Sequence, residues 1–165
     1  MTQGERFHHY VHGMFSVEAL ARSAAGAAIL QETNTPAEWG QGADGYARRF
    51  GNSYAQHMMR QTLMYGASDL LDEDNRYLPS GRSGFGPRFT YALESSFLAR
   101  RHDGTRRLSF SRLGSYAAVA VISREWQPQS TSDAQSAVMS FGTTMGSEIG
   151  FNIAREFLPG IFHRH

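Results

Sequence analysis

Apolar and polar residues alternate along most of this chain with a period near 3.6, the spacing of helices that bury one face. Between residues 5 and 30, Phe7, Val11, Met14, Val17, Ala21, Ala24 and Ala28 recur at that spacing and predict a single first helix. Thr33, Asn34 and Pro36 end it, since these residues favour turns. A second helix is expected from about 44 to 71. Asp72-Glu73-Asp74-Asn75-Arg76 and the glycine-punctuated run from Pro79 to Gly84 then read as a polar loop. Pro87 suits a first helical turn, where no amide hydrogen is required, and predicts a third helix ending near 98.

Asp103-Gly104 is the strongest hairpin signal in the chain. Its flanks, Phe97-Leu98-Ala99 and Leu108-Ser109-Phe110, supply two short strands. Ser111 is expected to cap a fourth helix reaching 125. Residues 128–131 form a linker, and Ser132 or Asp133 caps a fifth helix that stops before Pro159. The pattern as a whole predicts an all-α single domain over residues 1–165, with about five helices and one short β-hairpin near 98–110.

The fifth helix adds a second periodicity. Phe141, Met145, Ile149, Ile153 and Phe157 recur every four residues, and beside them run Gly142, Gly146, Gly150 and Ala154. Glycine inside a helix costs about 1 kcal/mol relative to alanine, so three in register require a compensating gain. Close backbone approach of a second helix supplies one. Similar small-residue rows occur at Ala43, Ala47, Gly51 and Ala55, and at Gly114 with Ala118. These rows predict either tight packing within the chain or an interface with a protein partner or a second copy.

Composition narrows the function classes. Apolar residues at 41% and charged residues at 19% describe an ordinary folded domain. A net charge of +1 gives no global pull toward nucleic acid, and none is expected as a partner. The 16 basic residues are all arginine, which suits bidentate recognition of phosphate or carboxylate. Arg100, Arg101, Arg106 and Arg107 surround the Asp103-Gly104 turn, so the hairpin is a candidate site for anions or lipid headgroups. The absence of cysteine removes disulfides, thiolate catalysis and cysteine-ligated zinc.

Other chemistry is weakly signalled. Gly40-Gln41-Gly42-Ala43-Asp44-Gly45 has the spacing of a dinucleotide fingerprint but lacks the preceding strand that the motif requires. It reads instead as a flexible entrance to a helix. His8 and His12 lie four apart, yet His9 stands where a zinc protease motif has glutamate and no further pair follows. No metal site, no other cofactor and no catalytic set are therefore expected. His57, flanked on its helical face by Tyr54 and Gln61, reads as a hydrogen-bonded core histidine. No run of 18 apolar residues predicts a membrane span, and residues 1–6 lack a signal peptide's basic and apolar regions.

From Trp39 onward the chain resembles a family of uncharacterised, exported bacterial proteins. The resemblance is carried by Gly40-Gln41-Gly42-Ala43-Asp44-Gly45-Tyr46, Arg49-Phe50-Gly51, Tyr54-Ala55 and Asp74-Asn75-Arg76-Tyr77. It continues through Phe85, Arg88, Tyr91 and Ala92, then Phe110-Ser111-Arg112-Leu113-Gly114, and ends on Glu156-Phe157-Leu158-Pro159. Asn75 departs from the proline usual there. The resemblance implies a helical protein of the cell envelope without an assigned activity. Together with the small-residue rows it leads to the expectation of a non-enzymatic association protein, touching anionic lipid peripherally. The alternative is a small helical module that binds an apolar or anionic ligand.

Overall fold

The computed structural model describes residues 3–158. Helices α1 (Gln3–Phe15), α2 (Val17–Glu32), α3 (Gly42–Leu70), α4 (Phe85–Glu94), α5 (Phe110–Ile122) and α6 (Ala134–Phe157) dominate it. The mostly all-α character expected from periodicity holds. Single 3-10 turns at Ala37–Trp39, Ser123–Trp126 and Gln129–Thr131 join some of the helices.

The predicted first helix is two. Ser16 leaves the helix with extended backbone, and its hydroxyl accepts a hydrogen bond from the Ala19 amide at 3.1 Å, capping α2. The break re-sets the buried face. Val17, part of the expected apolar stripe, is 83% exposed, whereas Ala19, Ser23 and Ala27 face inward. Helix α4 begins at Phe85, two residues before Pro87, and ends at Glu94 in a turn closed by amides of Ser95, Ser96 and Phe97. The cap of α5 is Ser109 rather than Ser111: its hydroxyl accepts from the Arg112 amide at 3.1 Å. Asp133 caps α6 through the Ser136 amide at 2.8 Å.

The hairpin forms from β2 (Leu98–Arg101) and β3 (Arg106–Leu108), antiparallel, with Leu98 opposite Leu108 and Arg100 opposite Arg106. A third strand, β1 (Glu73–Asp74), comes from the expected loop and pairs Glu73 with Arg101 on the outer edge of β2. Two residues carry no strand pattern, so this pairing is set by the partner.

Helix α2 packs on α3, α3 on α5, α5 on α6 and α6 on α4, while α1 lies against α3 and α2. The interior is polar to an unusual degree. Arg49, Ser96, Ser109, Ser123 and Asn152 are fully buried, with Arg112, Glu73, Glu148 and Glu156 nearly so. Bulky apolar side chains such as Phe110, Val121, Val138 and Leu70 are more than half exposed. No helix among the described residues is long and apolar enough to cross a membrane.

Candidate functional site

Three buried polar knots tie together segments distant in sequence. In the first, Arg49 on α3 donates from Nε to Thr35 O at 3.0 Å, and from Nη1 to Gln31 Oε1 and Gly40 O, both at 2.7 Å. Its Nη2 donates to Pro36 O at 2.9 Å and Asn34 Oδ1 at 3.4 Å. The five guanidinium hydrogens thus meet five neutral acceptors. The glycine motif exists to build this cradle. Gly40 and Gly42 adopt φ of +65° and +81°, and a Cβ on Gly45 would sit 2.4 Å from Gly40 O. The expected flexible helix entrance is a closed hydrogen-bonded loop.

In the second knot the Glu73 carboxylate receives the Phe110 amide at 3.1 Å and the Ser111 amide at 2.9 Å. An anion at the N-terminus of α5 is favoured by the helix dipole. Arg112 then donates to Ser95 O and Asn75 O, both at 2.6 Å. In the third, Glu156 accepts from Tyr77 Oη at 2.5 Å, from Ser80 through both its amide and its hydroxyl, and from Arg88 Nε. Burial acts to raise the Glu156 pKa, but the bonds from Ser80, Tyr77 and Arg88 outweigh it and hold it at about 2. The motifs that carry the resemblance meet in these knots and in doing so position α3, α5 and α6.

Between α2 and α6, whose backbones stand apart, runs a cavity of about 1510 Å³ floored by α3 and α5. Pockets for small ligands are typically about 300–1,000 Å³, so this is a long groove. Ion pairs strap it near its middle. Arg22 of α2 donates to Glu148 of α6 at 2.9 Å and Arg155 of α6 donates to Glu18 of α2 at 2.6 Å. Arg22 also bonds Glu18 and lies 3.9 Å over the Phe151 ring. Burial would raise the Glu148 pKa, yet Arg22, Arg112 and Arg155 overcome it and hold it at about 2. Burial and the neighbouring Glu148 push the Tyr116 hydroxyl up to about 12.

The residues singled out by sequence are placed as follows. Gly142, Gly146 and Gly150 lie on the outer face of α6, exposed, and a Cβ at each would meet no atom within 4 Å. Gly51 and Gly114 are equally open, Ala55 is exposed, and Ala118 and Ala154 are half-buried. Of the two expectations for these rows, tight packing within the chain is not met at these glycines by any described residue. The interior instead receives the opposite side of α6, through Ala137, Met145, Glu148, Asn152 and Glu156.

The four hairpin arginines do not converge. Strand alternation sends Arg100 and Arg106 toward Tyr91, where Arg100 donates to the hydroxyl at 2.6 Å and Arg106 stacks 4.7 Å over the ring. Arg101 donates to Leu71 O at 3.2 Å, and Arg107 is exposed opposite Ala99. His8 and His12 have ring centroids 6.4 Å apart. Among the described residues, no three histidine, aspartate or glutamate side chains are placed to hold one metal ion. His57 is half-buried with Nε2 2.9 Å from Gly13 O, and burial lowers its pKa.

The sequence marked Arg49 only through the resemblance and gave no role to Arg22, Glu148 or Arg60. A signal existed for the last: Asn52, Gln56, His57, Arg60 and Met64 follow helical spacing along α3, and all line the groove. The Arg22–Glu148 pair spans 126 residues, so no local pattern announces it. Comparisons with protein-family models, with curated proteins and with solved structures found no match.

Proposed function

We propose that this chain is a non-enzymatic association protein of the cell envelope, acting through a second copy of itself across the outer faces of α5 and α6. One observation carries the reading: three glycines in register lie open on a helix whose outer face bears no charge. Between Ala134 and Ala154 the only ionisable side chain is Glu148, and it is buried. On α5 the only one besides Tyr116 is Arg112; both are buried as well. The glycines cost up to about 3 kcal/mol of helix propensity, and no contact among the described residues recovers it. A facing helix would. A glycine row flanked by the half-exposed Ile149 and Ile153 offers a groove beside a ridge, so a two-fold axis lets the face pack on itself. The 24 residues of α6 extend about 36 Å. The family resemblance supports the envelope.

Gly146→Leu tests this with opposite signs for its two effects. The side chain enters open space in the isolated chain, and the better helix former should raise the monomer's stability by several tenths of a kcal/mol. At an interface it overpacks, and the dimer should weaken by at least about tenfold. Sedimentation equilibrium read beside thermal melting separates the two. A wild-type chain that stays monomeric at about 0.1 mM, or a variant that associates as well as wild type, removes the proposal.

A further inference from the structure

We propose that the groove between α2 and α6 is a binding site for an anionic amphiphile, a hydrocarbon chain ending in a carboxylate or phosphate, with Arg60 as its anion-binding residue. Seven arginines line the groove. Six are partnered: Arg6 by Ser68 O and Glu73 O, Arg22 by Glu18 and Glu148, Arg76 by Asp74. Arg112 is held by Ser95 O and Asn75 O, Arg124 by Thr131 O, and Arg155 by Glu18. Arg60 makes no hydrogen bond or ion pair with any described residue. Its nearest aromatic neighbour is the Tyr116 ring, 5.9 Å from the guanidinium carbon.

A guanidinium withdrawn from bulk water without a counter-charge is costly. Desolvation accordingly lowers the Arg60 pKa. Glu18 and Glu148 take their arginine hydrogen bonds from Arg22 and Arg155 and not from Arg60, so the balance around Arg60 lacks a bonded anion. An anion completes that balance, and the planar fork of arginine takes carboxylate or phosphate oxygens in pairs. The walls on both sides of Arg60 carry apolar groups: Met64 and Leu78 toward one end, Ile29, Leu30 and Met139 toward the other. The combination of an arginine without a bonded partner among the described residues and a long, partly apolar channel selects a molecule with a single charged end. The proposal rests on Arg60 of α3, and none of the three α6 glycines lines the groove, so it stands independently of the association reading.

Calorimetric titration with decyl phosphate, decanoate, decanol, decyltrimethylammonium and inorganic phosphate tests it. Decyl phosphate and decanoate should bind saturably; decanol, the cationic probe and inorganic phosphate should each bind at least about tenfold more weakly. Arg60→Gln should reduce binding of the two anionic probes by about tenfold or more while leaving decanol unchanged. The same variant should melt at or above the wild-type temperature, because it deletes an unpaired charge. Met64→Glu, which places a carboxylate one helical turn from Arg60, should block the anionic probes even if Arg60→Gln folds poorly. Decanol binding as tightly as decyl phosphate, inorganic phosphate binding as tightly as either, or anionic binding that survives both substitutions overturns the proposal.

Discussion

Arg49→Met should destabilise the domain by about 3–5 kcal/mol, the range seen when a buried, fully hydrogen-bonded charged group is removed from its partners. The guanidinium is fully buried, and its five bonds hold three backbone carbonyls and two side-chain amides of the segment from Gln31 to Gly40. Methionine fills the volume and leaves those acceptors without donors. Arg49→Lys should do little better, since three hydrogens on one nitrogen cannot reach acceptors arranged around a planar fork. Domains of this size carry about 5–15 kcal/mol in total, so either change should lower the urea midpoint by a large fraction. Gly45→Ala adds a sharper contrast. In a helix interior this substitution ordinarily gains up to about 1 kcal/mol, and Gly51→Ala on the same helix, where a Cβ meets nothing, should show that gain. At Gly45 the new Cβ would meet Gly40 O at 2.4 Å, and overpacking of about 1–3 kcal/mol should reverse the sign. Urea unfolding followed by circular dichroism reads all four variants. A loss below about 1 kcal/mol for Arg49→Met would mean that the loop finds other donors and the knot is dispensable.

The second large effect is acid lability, with a sign fixed by the strap across the groove. The Glu148 carboxyl is held at about 2 in the folded chain against an ordinary value of 4.5. Its depressed pKa means that the folded state favours the ionised form. The stabilisation is complete above pH 4.5 and is lost as pH falls from there through about 2. A shift of that size corresponds to about 3 kcal/mol. Glu156, also held at about 2, loses its contribution over the same window. His57 acts with the same sign at higher pH: burial favours its neutral form, so stability begins to decline as pH drops below 6.5. The stability profile should therefore be flat from neutrality up to the onset of tyrosine ionisation at about pH 10, where the raised Tyr116 begins to cost stability. Below neutrality it should sag gently and then fall steeply between pH 4.5 and 2. Glu148→Gln should cost several kcal/mol at pH 7, because Arg22 loses its partner on α6, and almost nothing at pH 2. An acid limb of unchanged steepness in Glu148→Gln would show that this pair does not govern it.

Much of the fold was legible because helices announce themselves locally. The 3.6 period located α3 and α6 to within a few residues, Asp133 was a readable cap, and Asp103-Gly104 marked the turn of the hairpin. Two local signals were present but outweighed. Ser16 capped a new helix inside a continuous apolar stripe, and Ser109 took the capping role assigned to Ser111 because α5 already begins at Phe110, which places Ser111 inside its first turn.

The identity and length of most helices were thus written locally, since propensity, caps and turn residues act over four or five positions. Which faces turned inward depended on contacts between helices far apart in the chain. On α6 the eye goes to Phe141, Met145, Ile149, Ile153 and Phe157, yet the buried stripe includes Glu148, Asn152 and Glu156. A charged side chain can be buried only where partners wait for it, and those partners sit on α2, in the 77–80 loop and on α4. The glycine row is the mirror case. Its lack of side chains was visible from the start, but whether another helix fills the space is a property of neighbours, and among the described residues none does. Arg60 completes the point: its residue type was plain in the sequence, while its lack of a bonded partner among the described residues emerged only when the helices were brought together.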